Sequence, residues 1–421
     1  MEDLISSTAA RARRERASVE SHASWVVAIA ILFILSVAFG APYLAVVALK
    51  PIAAELGSER SVPALASALA WLGCAVGGLA MGRIADRIGM RWTALFGAVM
   101  IAAGLALAAS GGVWRLWIGY GILVGLLGLA GLNAPAYVYI SRWFDRRRGT
   151  ALALISSGLY LAGAVWPEIF QLAIDRFGWR QTMTYFAILV IILIVPTAAI
   201  FLGWPPETPA FGAAGAGPRS GERVLGWPPG VVVALLSLAA ICCCMTMAMP
   251  QAHLVAFCSD LGIASTHGAA MLSLLLASAF FSRQLWGWIA DRIGGLGTVL
   301  AGSACQAAAM TAFLLTQDEI GLFTVAAFFG FGFSGIVPAY VLAIRELFPA
   351  AEAGWRIPTL LLCSGSGMAA GSWLAGALYD YFGFYAPAFA AGVGINLVNL
   401  ALVGTLVYRQ QSIQPAPSLV R

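Results

Sequence analysis

Residues 82–89 read Gly-Arg-Ile-Ala-Asp-Arg-Ile-Gly, and residues 287–294 read Gly-Trp-Ile-Ala-Asp-Arg-Ile-Gly. Seven of the eight letters agree across an offset of 205. The same offset carries Asp175-Arg-Phe-Gly178 onto Asp380-Tyr-Phe-Gly383 and Leu56-Gly57 onto Leu261-Gly262. At 203, Pro135-Ala-Tyr-Val138 returns as Pro338-Ala-Tyr-Val341. One half of the chain is a diverged copy of the other. In a chain this apolar, such symmetry points to two bundles moving about a central site.

The 421 residues are 61% hydrophobic and only 10% charged, with a mean hydropathy of +0.87. A soluble domain of this size needs far more charge to cover its surface. Continuous apolar stretches of about 20 residues recur along the chain, each enough to cross about 30 Å of hydrocarbon. Their continuity excludes the alternating pattern of a membrane β-barrel. The predicted class is an all-α membrane protein with twelve transmembrane helices in two pseudo-symmetric six-helix bundles. Residues 1–23 form an N-terminal segment, 24–203 and 229–408 the two bundles, 204–228 a Pro-, Gly- and Ala-rich linker, and 409–421 a tail.

Lys50 is the sole lysine among 24 Lys and Arg residues, and the arginines are unevenly placed. Clusters at Arg11–Arg16, Arg83/Arg87/Arg91, Arg142–Arg148, Arg219/Arg223, Arg292, Arg345/Arg356 and Arg409 fall in alternate inter-helix segments or at the termini. The positive-inside rule makes those segments, and both termini, cytoplasmic. The opposite side keeps Lys50, Arg60, Arg115, Arg176 and Arg180. Each cluster stands at the mouth of an apolar span, which argues against nucleic-acid binding. The run from Trp25 to Leu49 is too long for a signal-peptide core and is read as a retained first helix. The seven cysteines, three of them consecutive at Cys242–Cys244, follow neither a disulfide nor a metal-ligand spacing and act as small packing residues. No metal and no cofactor is expected. Arginine-rich, lysine-poor usage favours a bacterial inner membrane, and a monomer is expected.

With these residues in place, the chain resembles the major facilitator superfamily. Gly82-x-x-x-Asp86-Arg87-x-Gly89-x-Arg91 matches its signature loop between helices two and three, and Gly287 to Arg292 is the degenerate second copy. The resemblance implies that Gly82, Asp86, Arg87, Gly89, Arg91, Asp291 and Arg292 take part in gating. On this reading, Asp86 and Asp291 pair with nearby arginines when the cytoplasmic side is shut. Asn133-Ala-Pro135, then Arg142-Trp-Phe-Asp-Arg-Arg-Arg-Gly149 and the Gly- and Ala-rich helix after it, is similar to the monocarboxylate transporters and their oxalate/formate antiporter relatives. That likeness implies that Arg283 in helix eight binds a substrate carboxylate. The chain departs from the family at Ala279, where mammalian members place an aspartate, and at Tyr43, where they place a lysine.

Read on its own chemistry, Arg283 precedes Asp291 by eight residues, about 12 Å along a helix, and so lies within the hydrocarbon. A central arginine costs about 2.5–3.5 kcal/mol on insertion scales, so it should face a wet cavity and meet an anion. Its planar fork fits a carboxylate. Tyr43, Tyr137, Tyr160 and Tyr340, with Asn133, are the candidates to complete the site, and Tyr137 and Tyr340 are expected to face one another across it. His253 and Glu168 are the titratable candidates for proton coupling. The expected partners are the lipid bilayer, a small carboxylate, and protons or a counter-anion. The expected function is secondary transport of small organic anions, foremost monocarboxylates, by alternating access. The alternative is an exporter of amphipathic compounds or a carrier of a neutral solute such as a sugar. Three histidines and no nucleophile–base constellation argue against an enzyme.

Overall fold

The computed structural model describes residues 20–144, 147–204 and 223–413. Most of the N-terminal segment and linker, Arg146, the end of the tail and the side chain of Asp86 lie outside the described residues. Among the described residues, eleven helices are long and apolar enough to cross a bilayer. The longest, Ser265–Leu315, runs 51 residues, but Gly294 breaks it with φ 74 and ψ 173. Divided there, it gives two spans, and twelve result. These are α1 (His22–Val47), α2 (Ser61–Ala85), α3 (Met90–Ala109), α4 (Val113–Ile140), α5 (Thr150–Phe177), α6 (Trp179–Phe201), α7 (Pro229–Asp260), α8 (265–293), α9 (295–315), α10 (Glu319–Leu347), α11 (Trp355–Phe382) and α12 (Ala386–Ser412).

The repeat is visible in the backbone. Gly57, Gly89 and Gly178 have positive φ, and so do Gly262, Gly294 and Gly383, each 205 residues on. Gly89 and Gly294 mark the junctions α2–α3 and α8–α9, where φ of +90 and +74 admits a sharp bend that a Cβ would strain.

Within a bundle, helices approach closely over glycine. A Cβ at Gly73 would lie 2.4 Å from the Gly121 carbonyl oxygen, and one at Gly77 2.2 Å from that of Leu126. Lipid supplies little hydrophobic drive between helices, so this backbone contact is what holds α2 to α4. The sequence gives no sign that Gly119–Leu129 of α4 winds as a π-helix, one turn before Asn133 and Pro135.

Two seams join the bundles. Along the first, α2 meets α11: Gly365 abuts Ala75, Gly376 abuts Ser61 and Ala64, and the Ser67 and Ser372 hydroxyls are 3.1 Å apart. Along the second, α5 meets α8, with Leu276 and the Tyr43 ring both against Gly163.

Candidate functional site

Arg283 stands where α8 faces α5. Its guanidinium carbon is 5.2 Å from the centroid of the Tyr160 ring, which belongs to the other bundle. It forms no ion pair among the described residues. Tyr160 is buried, packs edge-on against Phe333, and points its hydroxyl at the Ser334 carbonyl, 3.5 Å away. The Tyr43 ring meets Gly163, one turn along α5 from Tyr160, and Tyr137 on α4 lies near enough to interact electrostatically with Arg283. Arg283, Tyr160, Tyr137 and Tyr43 therefore form one group, with α1, α4 and α5 on one side and α8 on the other. A single cation among phenols at a bundle interface is an arrangement that holds an anion: the fork supplies charge, the phenols supply donors and the rings exclude water.

Beside this group, a small cavity lies between the bundles, lined by Tyr43 and Trp71 from one and by Gln251, Met368 and Ser372 from the other. Asn133 Nδ2 makes a long 3.9 Å contact to Cys74 Sγ.

Tyr340 does not join them. It is fully buried inside its own bundle, where its hydroxyl donates to Asn399 Oδ1 at 2.9 Å. Asn399 donates to Ser303 Oγ and Asn396 Oδ1, and Asn396 to the Ser303 carbonyl. The expected meeting of Tyr137 and Tyr340 across the cavity is therefore corrected: a buried amide network claims the Tyr340 hydroxyl. Glu168 lies on the exposed face of α5 with Val165, Ile169 and Leu172, away from the cavity lining. His253 is fully buried; its Nε2–H donates to the Ser372 carbonyl at 2.8 Å, so its Nδ1 accepts from the Tyr385 hydroxyl at 3.0 Å.

At the arginine-rich end stand the signature-loop residues. Asp291 is exposed and forms no ion pair among the described residues, while Arg292 lies over its neighbour Trp288 at 3.2 Å. Arg91 donates to the Leu202 carbonyl at 2.8 Å, Arg87 is exposed, and a Cβ at Gly82 or Gly287 would meet nothing within 4 Å.

At the opposite end, the bundles are latched by residues that the sequence reading passed over. The Arg60 guanidinium donates to Asp260 at 2.7 Å and to the Tyr385 hydroxyl at 3.1 Å, and lies 3.8 Å from the Tyr379 ring centroid. Lys50 reaches Asp260 at 2.9 Å and Ser259 at 2.8 Å. Asp380 accepts from the backbone amides of Arg60 and Ser61, both at 2.8 Å, and so caps the first turn of a helix in the other bundle. Burial opposes the charge on Arg60, but its hydrogen bond to Asp260 more than offsets this and holds the guanidinium above its usual range. A signal was present: Lys50 and Arg60 are cations on the side that the charge rule leaves nearly bare, facing the acids Asp260 and Asp380.

The Major Facilitator Superfamily model matches residues 28–354 and 234–419. An MFS-type transporter, pynF, of Aspergillus niger is 27% identical over 325 residues, covering 74% of this chain and 72% of that one. MFS-type transporter 1 of an Ophiocordyceps species is 26% identical over 285 residues, and the match spans 67% of this chain and 61% of that relative's length. Monocarboxylate transporter 13 of Bos taurus is 24% identical over 334 residues, covering 77% and 75%. Among solved structures, a peptide transporter POT in complex with sulfate superposes with a TM-score of 0.71 at 16% identity, covering 91% of this chain and 95% of that one. At that identity the likeness is one of fold.

Proposed function

The chain belongs to the major facilitator superfamily, and from that premise we propose that it carries small organic anions, foremost monocarboxylates, by alternating access, with Arg283 as the carboxylate ligand. The protein is a membrane transporter, not an enzyme. What supports the substrate reading is the position of Arg283: a guanidinium with no ion pair among the described residues, at the interface of the two bundles and against Tyr160 from the opposing one. A neutral substrate gives this charge nothing to neutralise. Tyr160 and Tyr137 donate to the bound carboxylate, and Tyr43 closes the group toward the cavity. The arginine-rich end is cytoplasmic and both termini lie on that side of a bacterial inner membrane. The latch at Asp260 and Asp380 then shuts the outer side while the anion is exchanged with the cytoplasm.

The test is uptake of labelled lactate, pyruvate, formate or oxalate into proteoliposomes. Arg283→Lys keeps the charge but loses the planar fork and should cut uptake at least tenfold, the equivalent of about 1.4 kcal/mol. Undiminished uptake in that variant refutes the carboxylate role. In the same vesicles, a pH gradient that accelerates uptake selects proton coupling, for which His253 is the candidate residue. Acceleration only by internal anion selects exchange.

A further inference from the structure

Two polar groups in the cavity that Tyr43 lines have no partner among the described residues. The Tyr43 hydroxyl and the Gln251 Nε2 are buried, and neither makes a hydrogen bond. Both residues line the cavity and are over nine-tenths buried, at 3% and 7% exposure. Unpaired buried donors are costly and therefore uncommon; two that line one cavity mark a place built to receive a partner. They come from opposite bundles, Tyr43 from α1 and Gln251 from α7. The other polar groups nearby are already engaged: Ser67 and Ser372 bond to each other, and the Ser372 carbonyl accepts from His253.

We propose that Tyr43 and Gln251 form a second subsite, which binds a neutral oxygen of the transported anion at the end remote from its carboxylate. The inference rests on the reading of Arg283 as the carboxylate ligand and adds the chemistry of the other end. Both groups are uncharged donors and no cation lines the cavity among the described residues, so a hydroxyl, keto or amide oxygen is the complement that avoids burying a second, unneutralised charge. Tyr43 meets Gly163, one helical turn from Tyr160, whose ring lies 5.2 Å from the Arg283 guanidinium carbon, so the two subsites are neighbours along α5. The favoured occupant carries its carboxylate on Arg283 and an oxygen acceptor at its other end. Because the donors belong to α1 and α7, such a ligand also ties the two bundles together on the latched side of the site.

Binding of hexanoate and 6-hydroxyhexanoate to the purified full-length transporter, followed by thermal shift over a concentration series, tests this. The parent protein should prefer 6-hydroxyhexanoate by about tenfold in apparent Kd, as expected for one or two hydrogen bonds. Gln251→Leu should bring that ratio toward one while leaving the Kd for hexanoate unchanged, which also shows that the variant is folded, and Tyr43→Phe should bring the ratio toward one as well. Equal affinity for the two acids in the parent, or a preference that survives both variants, overturns the subsite. Equal weakening of both acids in Gln251→Leu overturns it too, because it reports packing rather than recognition. If the parent binds neither acid, nor lactate or pyruvate, the carboxylate reading itself falls. If it binds both acids alike, only the subsite does.

Discussion

Glu55 and Asp260 are 205 residues apart, as are Asp175 and Asp380, so each pair occupies equivalent places in the two halves. In the first half, both acids stay at home. Glu55 accepts from Arg180 Nε at 2.6 Å and from the Trp179 indole, and Asp175 accepts from Gln171 Nε2 at 2.8 Å on its own helix. In the second half, both reach across: Asp260 takes Lys50 and Arg60, and Asp380 takes the amides at the start of α2. The cause lies with the partners. The repeat places Val255 opposite Lys50 and Ser265 opposite Arg60, so the second half has no cations to offer the acids of the first. Accordingly, the residue before α8, Ala264, provides no side-chain cap. Duplication specifies the fold twice, whereas a few unmatched charges make the latch one-sided: the α2–α11 seam is bolted at this end, and the α5–α8 seam is not.

The comparison breaks most easily at Asp260, which serves two cations. Asp260→Asn should weaken both contacts. With Arg60 and Asp260 side chains 14% and 24% exposed, solvent screening holds the loss to roughly 1–2 kcal/mol, a five- to thirtyfold shift toward opening. The readout is the rate at which an impermeant maleimide labels a cysteine placed at Ser67, in a background depleted of native cysteines. A rate equal to the parent's removes Asp260 from the latch. Asp380→Ala should have the next largest effect. It strips two acceptors from the first turn of α2, a cap worth about 1 kcal/mol, and should raise the same rate about fivefold. An unchanged rate would mean that the α2 amides find another acceptor.

How much of this was legible in the sequence follows from what each signal encodes. Hydropathy and the repeat carry the twelve spans, because a bilayer demands length and apolarity regardless of neighbours. Arg283 was legible for the converse reason, as a charge where none is tolerated without purpose. Tyr340 was misread because a span hydrophobic all round does not reveal which face looks inward, and its hydroxyl is spoken for by Asn399, 59 residues away. Gln251 left no trace, since an amide in an apolar run looks alike whether satisfied or orphaned. The latch was half visible. Lys50 and Arg60 appeared as exceptions to the charge rule, and Asp380 within a repeated motif, but only the fold brings residues some 320 apart into one hydrogen bond.

The smallest effect should come from the matched control. Asp175→Ala removes an acceptor from Gln171, one turn away on the same helix, a contact of the kind worth about 0.2–0.5 kcal/mol. Labelling at Ser67 should therefore stay within about twofold of the parent, against the larger rise for Asp380→Ala. If Asp175→Ala instead matches Asp380→Ala, the first-half aspartate must take a partner from the other bundle in a second arrangement of the protein. The asymmetry at this end would then belong to one state of the transport cycle, and not to the chain itself.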